Sequence, residues 1–265
     1  MTDYKISLVA SAVRPFAWQG FFDSLKGNKL PIEVVFVGDV KPDFELPPNV
    51  KYIYATVKPA QCYEIAIREA SGELIAWTAD DARYDHIKKN SLDLTYNYWK
   101  SFNDEKVIVA MRPIEDGRDI WSVHHFFGGW NHTPLMAPFG VMSKKFLMEL
   151  GGYDKNFVSG QAENDIVMRV IEAGGRVEMF MDGYLFVRHN EIHRQSNDHA
   201  SFRKWYDADR QYLENCWVEG GYGKYQNREQ PNRAVKIATK RLLPVQSFDN
   251  KDITTVTQGP KGRWQ

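Results

Sequence analysis

Apolar and polar positions switch between two periods along the first half of the chain. ISLVA at 6–10 and IEVVFVG at 32–38 are short runs dominated by aliphatic, largely branched residues, the signature of buried strands. Between them, 15–25 spaces its apolar residues helically, opens on Pro15 and is followed by Gly27, which predicts a helix. After the prolines at 42, 47 and 48 comes a third strand at 50–55. A helix is predicted at 61–70, closed by Ser71 and Gly72, and a fourth strand at 74–78 runs directly towards Asp80 and Asp81. Farther along, the pattern predicts a helix at 88–102, a strand at 107–111 and a short helix at 143–150 ended by Gly151 and Gly152. A helix at 163–173, ended by Gly174 and Gly175, leads into a strand at 177–181 and a strand-like run at 184–188. A tyrosine-rich amphipathic helix follows at 201–217. Residues 112–136 have no clear period and gather Trp121, His124, His125, Phe126, Phe127, Trp130 and His132, and long aromatic loops of this kind are usually functional or mobile. From about residue 246 the chain is polar, and fraying is expected there.

Strand–helix–strand units with short links predict an α/β fold with a mostly parallel central sheet flanked by helices, over about 1–220, and a C-terminal extension over 221–265. Ligands of such sheets sit beyond the carboxyl ends of the strands. Asp39 and the Asp80–Asp81 pair stand at two of those ends.

Composition narrows the partners. The 34 basic and 34 acidic side chains cancel, which removes the electrostatic reason to expect nucleic acid. Cys62 and Cys216 are far apart and outside any CxxC spacing, so a reducing, cytoplasmic setting is expected in place of a disulfide framework or cysteine zinc site. The first apolar run is too short for a signal core or a membrane span. Lys236, Lys240 and Arg241 beside Leu242 and Leu243 form a weak basic amphipathic patch, which suits either a solvated helix or, at most, peripheral membrane contact. His124, His125, His132 and His193 lack the spacing of a zinc site. Trp121, Phe126, Phe127 and Trp130 suit a sugar-stacking surface and loop packing equally, whereas core packing is expected of Trp205, Tyr206 and Tyr212. The absence of GxGxxG and P-loop patterns disfavours a dinucleotide enzyme or an NTPase.

Two carboxylates emerging together from a hydrophobic strand supply hard oxygen ligands for Mg²⁺ or Mn²⁺ bridging a nucleotide diphosphate, although a turn or helix cap uses the same residues. Asp39 is suited to a base N–H or a ribose hydroxyl, and equally to a turn. The order ISLVA (6–10), VVFVGD (34–39) and EIAIREASGELIAWTADD (64–81) resembles family-2-type glycosyltransferases of the GT-A, nucleotide-diphospho-sugar transferase fold. APFGVMSKKFLMELGGYDKNF (137–157) looks like their acceptor-side segment, and AENDIVMR (162–169) is similar to their Glu-Asp motif.

That resemblance implies a single GT-A domain that moves a sugar from a UDP-, GDP- or dTDP-sugar to a glycan, lipid-linked or other hydroxyl acceptor, with Mn²⁺ or Mg²⁺ and with inversion at the anomeric carbon. It implies Glu163 as the catalytic base, with Asp165 a second candidate that braces its helix through Arg169. Nucleotide-sugar contacts are implied for Ala10, Arg14, Asp39, Arg68 and Asp80, and metal ligation for Asp81 and His189. A non-catalytic GT-A-like binding domain and a sugar-phosphate nucleotidyltransferase are the alternatives. The latter expects a glycine-rich basic loop after the first strand, where this chain has SAVRP at 11–15.

Overall fold

A computed structural model describes residues 3–119, 126, 127, 130, 133–187, 199–224 and 235–248, with backbone alone over 199–204. The strands are β1 Ile6–Ser11, β2 Ile32–Gly38, β3 Val50–Tyr54, β4 Leu74–Trp77, β5 Val107–Glu115, β6 Arg118–Asp119, β7 Gly140–Ser143 and β8 Arg176–Val187. The helices are α1 Pro15–Leu25, α2 Pro59–Glu69, α3 Ser91–Ser101, α4 Lys144–Glu149, α5 Ala162–Glu172 and α6 His199–Trp217. They build one sheet in the order β3-β2-β1-β4-β7-β5-β6, with β8 beside β5. Pairings among β1, β2, β3 and β4 are parallel, as is β5 with β8, while β7 runs antiparallel to both β4 and β5. This is the predicted mostly parallel sheet flanked by helices, of the GT-A, Rossmann-like kind, with a C-terminal helix.

The period-two alternation of the strands divides the core between the two faces. Ile6, Leu8, Ala10, Val34 and Phe36 meet Trp18, Phe21 and Phe22 of α1 and Leu92, Tyr96 and Trp99 of α3. Val9, Val35, Val37, Ile75 and Trp77 meet α2, α4, α5 and α6 through Ile65, Phe146, Ile166 and Trp217. Truncating a wholly buried aromatic such as Trp18 to alanine costs on the order of 3–5 kcal/mol, so these side chains fix the layers.

The α2 helix begins earlier than predicted because Pro59 suits the first helical position and the Gln61 side chain accepts from Lys58 N–H at 2.8 Å. No strand was expected at 140–143. β7 pairs with both β4 and β5, and its glycine is accounted for by Trp77, whose ring a Cβ on Gly140 would meet at 2.4 Å. The two strand runs predicted near 177 and 184 are one strand. Pairing jumps from Ala110 with Met179 to Arg112 with Tyr184, so residues 180–183 lie opposite Met111 alone. The expected fraying at 246 is not observed as far as Phe248. Lys155 N–H donates to the Gln246 carbonyl at 2.9 Å, and the Phe248 side chain is buried. Among the described residues, no helix is long and apolar enough to cross a membrane.

Candidate functional site

The chain runs β1, β2, β3 in one direction and returns to place β4 on the other side of β1, so the strand order reverses between β1 and β4. Crevices form at the carboxyl ends of strands flanking such a reversal. Residues 12–14 leave β1 and residues 78–81 leave β4 at this point, and Asp80 ties them together. Its Oδ2 accepts from Val13 N–H at 2.9 Å, Arg14 N–H at 2.8 Å and Trp18 Nε1–H at 3.0 Å. Its Oδ1 accepts from Arg14 Nε–H at 2.7 Å, and a second guanidinium nitrogen completes the ion pair. Arg14 also lies 3.2 Å from Asp81 Oδ1, so one cation is shared by both carboxylates. Burial opposes the charge on Arg14, but Asp80 and Asp81 outweigh it and hold the guanidinium more firmly protonated than usual.

Asp39 is exposed one residue beyond β2. The turn carrying it is fixed by Tyr52, whose hydroxyl donates to the carbonyls of Gly38 at 2.8 Å and Val40 at 2.9 Å. A Cβ on Gly38 would lie 1.9 Å from the Ala12 carbonyl oxygen, which accounts for the glycine. Asp39 and Arg14 therefore share one rim. Ala10 lies within β1 with no exposed surface, so its side chain presents nothing to a ligand. Arg68 does not join the rim either. It sits in the last turn of α2, at the opposite edge of the sheet, donating to Glu64 Oε1 at 2.6 Å and the Phe248 carbonyl at 2.6 Å. His189 lies outside the described residues, as do Trp121, His124, His125, His132 and His193.

Across the crevice, α5 begins with Gln161 at φ 67°, a left-handed conformation that a non-glycine residue adopts only when its surroundings enforce it. Glu163 follows in the first turn, half-buried. Burial holds its carboxyl above the ordinary glutamate range, against the backbone N–H groups of Glu163 and Gln161, and the charge of Asp209 pushes in the same upward direction. The charge of Glu163 acts on Tyr63, Tyr153 and Tyr206. Their hydroxyls are all pushed up, first by burial and then by the charge of Glu163. Tyr63 donates to the Thr78 carbonyl at 2.6 Å, two residues before Asp80, and the charges of Asp80 and Arg14 also act on its hydroxyl.

Asp165 is wholly buried and braced as expected, with Arg169 Nε 2.9 Å away. Two further partners were not anticipated. Trp217 Nε1–H and Arg241 Nε–H donate to its other oxygen at 2.8 Å and 2.9 Å, and Arg241 also pairs with buried Asp154 at 2.7 Å. The patch read around 236–243 keeps Lys236, Lys240, Leu242 and Leu243 exposed but loses Arg241 and the helix expected there. Arg241 is buried, Lys236 pairs with Glu219 at 2.5 Å, and the segment is not helical.

Core packing was expected of Trp205, Tyr206 and Tyr212, but Tyr206 is 37% exposed beside Glu163. Trp205 lies under Lys58 at 5.9 Å, and Trp130 lies under Arg210 at 5.9 Å. Asp209 was missed altogether, although a signal existed. It is an acid on the apolar stripe of α6, four residues from both Trp205 and Leu213.

Among the described residues no three His, Cys, Asp or Glu side chains cluster as a metal cage. Asp80 is committed to Arg14 and the β1–α1 turn, which leaves Asp81 as the hard oxygen donor. That set fits Mg²⁺ or Mn²⁺ in the mode where one or two carboxylates share the ion with substrate phosphates.

No protein-family model matches the sequence, and no curated relative matches it. Solved structures do. A mannosyltransferase, PcManGT from Pyrobaculum calidifontis in complex with GDP-Man and Mn²⁺, is 18% identical with a TM-score of 0.53, over 70% of this chain and 57% of that one. S. aureus TarS is 16% identical with a TM-score of 0.54, over 69% of this chain and 36% of that one. TarS 1-349 in complex with UDP is 15% identical with a TM-score of 0.52, over 69% of this chain and 60% of that one. The chain thus spans between about a third and three fifths of the structures it resembles, and the likeness is one of GT-A-type fold.

Proposed function

We propose that this chain transfers a sugar from a nucleotide-diphosphate donor to an acceptor hydroxyl, with Glu163 as the base. The observation that supports this reading is the Arg14–Asp80–Asp81 cluster at the strand ends of the order reversal, together with a Glu163 carboxyl of raised proton affinity whose charge, like that of Asp80, acts on Tyr63. Asp39, at the exposed rim, suits the base or ribose of the donor. Arg14, held by Asp80, presents a fixed positive charge where the diphosphate would lie. A divalent cation shared between Asp81 and the phosphates, with His189 as a further ligand, would stabilise the charge that develops on the leaving nucleotide. GDP-Man and UDP in the solved neighbours support guanosine and uridine donors as the first to try, and dTDP-sugars follow.

In the proposed reaction the acceptor oxygen bonds to the anomeric carbon as the bond from that carbon to the diphosphate oxygen breaks. Glu163 takes the hydroxyl proton. Attack from the face opposite the leaving group inverts the centre. Tyr206, on whose hydroxyl the charge of Glu163 acts, and the half-buried Trp205 that precedes it suit the flat, apolar face of an acceptor sugar, whether free glycan or lipid-linked.

Thermal stability with UDP, GDP and dTDP, each with and without Mn²⁺, tests the donor half on the wild type and on Asp81→Ala. One nucleotide is expected to raise the midpoint only with metal, and Asp81→Ala to abolish the rise. A rise without metal would assign the diphosphate to Arg14 alone. No rise under any condition would overturn the donor site.

A further inference from the structure

The segment 158–161 that launches α5 makes few regular backbone pairings of its own. Ala60 N–H donates to the Val158 carbonyl at 3.1 Å, which joins the segment to the start of α2. The N–H groups of Val158, Ser159 and Gly160 instead converge on one carboxylate from α6. Val158 donates to Asp209 Oδ1 at 3.0 Å and Oδ2 at 3.2 Å, Ser159 to Oδ2 at 2.6 Å, and Gly160 to Oδ2 at 2.9 Å. Asp209 is only 2% exposed, and three convergent backbone donors make it the acceptor that satisfies this turn. The next residue is Gln161 in its left-handed conformation, and two positions later comes Glu163. We infer that Asp209 is a positioning residue, which holds the 158–160 turn so that α5 presents Glu163 to the acceptor hydroxyl. The inference rests on the role proposed above for Glu163.

Geometry and charge act together here. A carboxylate close enough to organise the turn also repels the ionised form of Glu163, in the same sense as burial. Among the described residues, the other titratable groups linked to Glu163 by charge are Tyr63 from α2, Tyr153 beyond α4 and Tyr206 from α6, with Arg210 acting on Tyr206. None of the three tyrosines carries charge near neutral pH, since their hydroxyls are pushed up. Asp209 is therefore the anion that tunes the base.

Two substitutions separate these effects. Asp209→Asn keeps an oxygen for the three N–H donors and removes the charge, whereas Asp209→Ala removes both. Asp207→Asn, an exposed change on the same helix, controls for the loss of one negative charge. Two readouts need no substrate. Hydrogen exchange at 158–160 is expected to accelerate at least 10-fold in Asp209→Ala and to stay within about threefold of wild type in Asp209→Asn. The Glu163 carboxyl, followed by carbon NMR against a Glu163→Gln reference, is expected to titrate at lower pH in Asp209→Asn and to be unmoved in Asp207→Asn.

The third readout is release of nucleotide from UDP-glucose, UDP-N-acetylglucosamine and GDP-mannose with Mn²⁺. Asp209→Ala is expected to lower kcat about 10- to 100-fold with donor KM within twofold, as misplacement of a reacting group does. Unchanged exchange in Asp209→Ala, or an unmoved Glu163 titration in Asp209→Asn, overturns the inference whatever the activity. If Glu163→Gln releases nucleotide as fast as wild type, it is the function of Glu163 that fails, while exchange and titration still decide what Asp209 does.

Discussion

Glu163 must be ionised to accept a proton, yet it sits where ionisation is disfavoured, and this conflict has consequences that can be measured. Its folded-state pKa lies above the ordinary glutamate value, so the folded chain binds the extra proton between the two. The stability gained from that proton is complete below the ordinary value and lost as pH rises through the raised one. Glu163→Gln is therefore expected to melt higher than wild type at pH 7.5, with the advantage vanishing below about pH 4. Paired melting curves across that range check it, and an equal advantage at every pH would sink the explanation. If the proposed role of Glu163 holds, the same substitution lowers sugar transfer by ~10²–10⁴-fold, because it removes the proposed base and leaves the shape. The register of AENDIVMR made Glu163 legible in the sequence, since an acid in the first turn of a helix is a local feature. Tyr63 and Tyr153 were not legible. Nothing in their neighbours says that a helix and a turn from distant parts of the chain will both feel the charge of one carboxylate.

At the scale of elements, α5 is held from both ends of its first turn, by the 158–160 turn before it and by Asp165 within it. Asp165, Arg169, Arg241 and Asp154 form a buried network in which each charge depends on the others. Arg241→Ala leaves two carboxylates short of a partner, and a loss of about 3–5 kcal/mol is expected from denaturant unfolding. A loss below about 1 kcal/mol would mean that the network relaxes around water. Gly38→Ala tests the other half, because the added methyl meets the backbone carbonyl of Ala12 and no flexible side chain can yield. Overpacking there is expected to cost ~1–3 kcal/mol and to weaken nucleotide binding, since the same turn carries Asp39. Elements with their own signals agree with the sequence reading. Both α1 and β2 have the predicted bounds, one opened by Pro15 and the other a run of branched residues. β7 has no such signal, being four residues that become a strand by pairing antiparallel with both β4 and β5.

The whole molecule is organised by one reversal of strand order, which gathers residues 12–14, 38–40 and 79–82 at a single edge. Their amides are expected to gain protection together when UDP or GDP binds with Mn²⁺, while residues 71–73, at the opposite edge beside the starts of β1 and β2, stay unchanged. Hydrogen exchange with and without nucleotide distinguishes this from binding elsewhere, for which protection would appear away from that edge. The sequence carried this much of the architecture because each strand–helix unit announces itself locally. The path of residues 235–248 back across α5 was not visible, because it depends on a buried arginine that reads as part of a basic surface patch. That path also bears on how the chain is made. Emerging from the ribosome, the segment up to Trp77 already holds β1 to β4 and can begin to collapse, as N-terminal units generally do first. The helix bearing Glu163 emerges with Asp165 lacking its outer partner, and must wait for residue 241 to be synthesised. The two halves of the proposed site are thus separated in time during translation, and a nascent chain halted before Arg241 would hold the strand ends bearing Asp39 and Asp80 before the helix bearing Glu163 was locked in place.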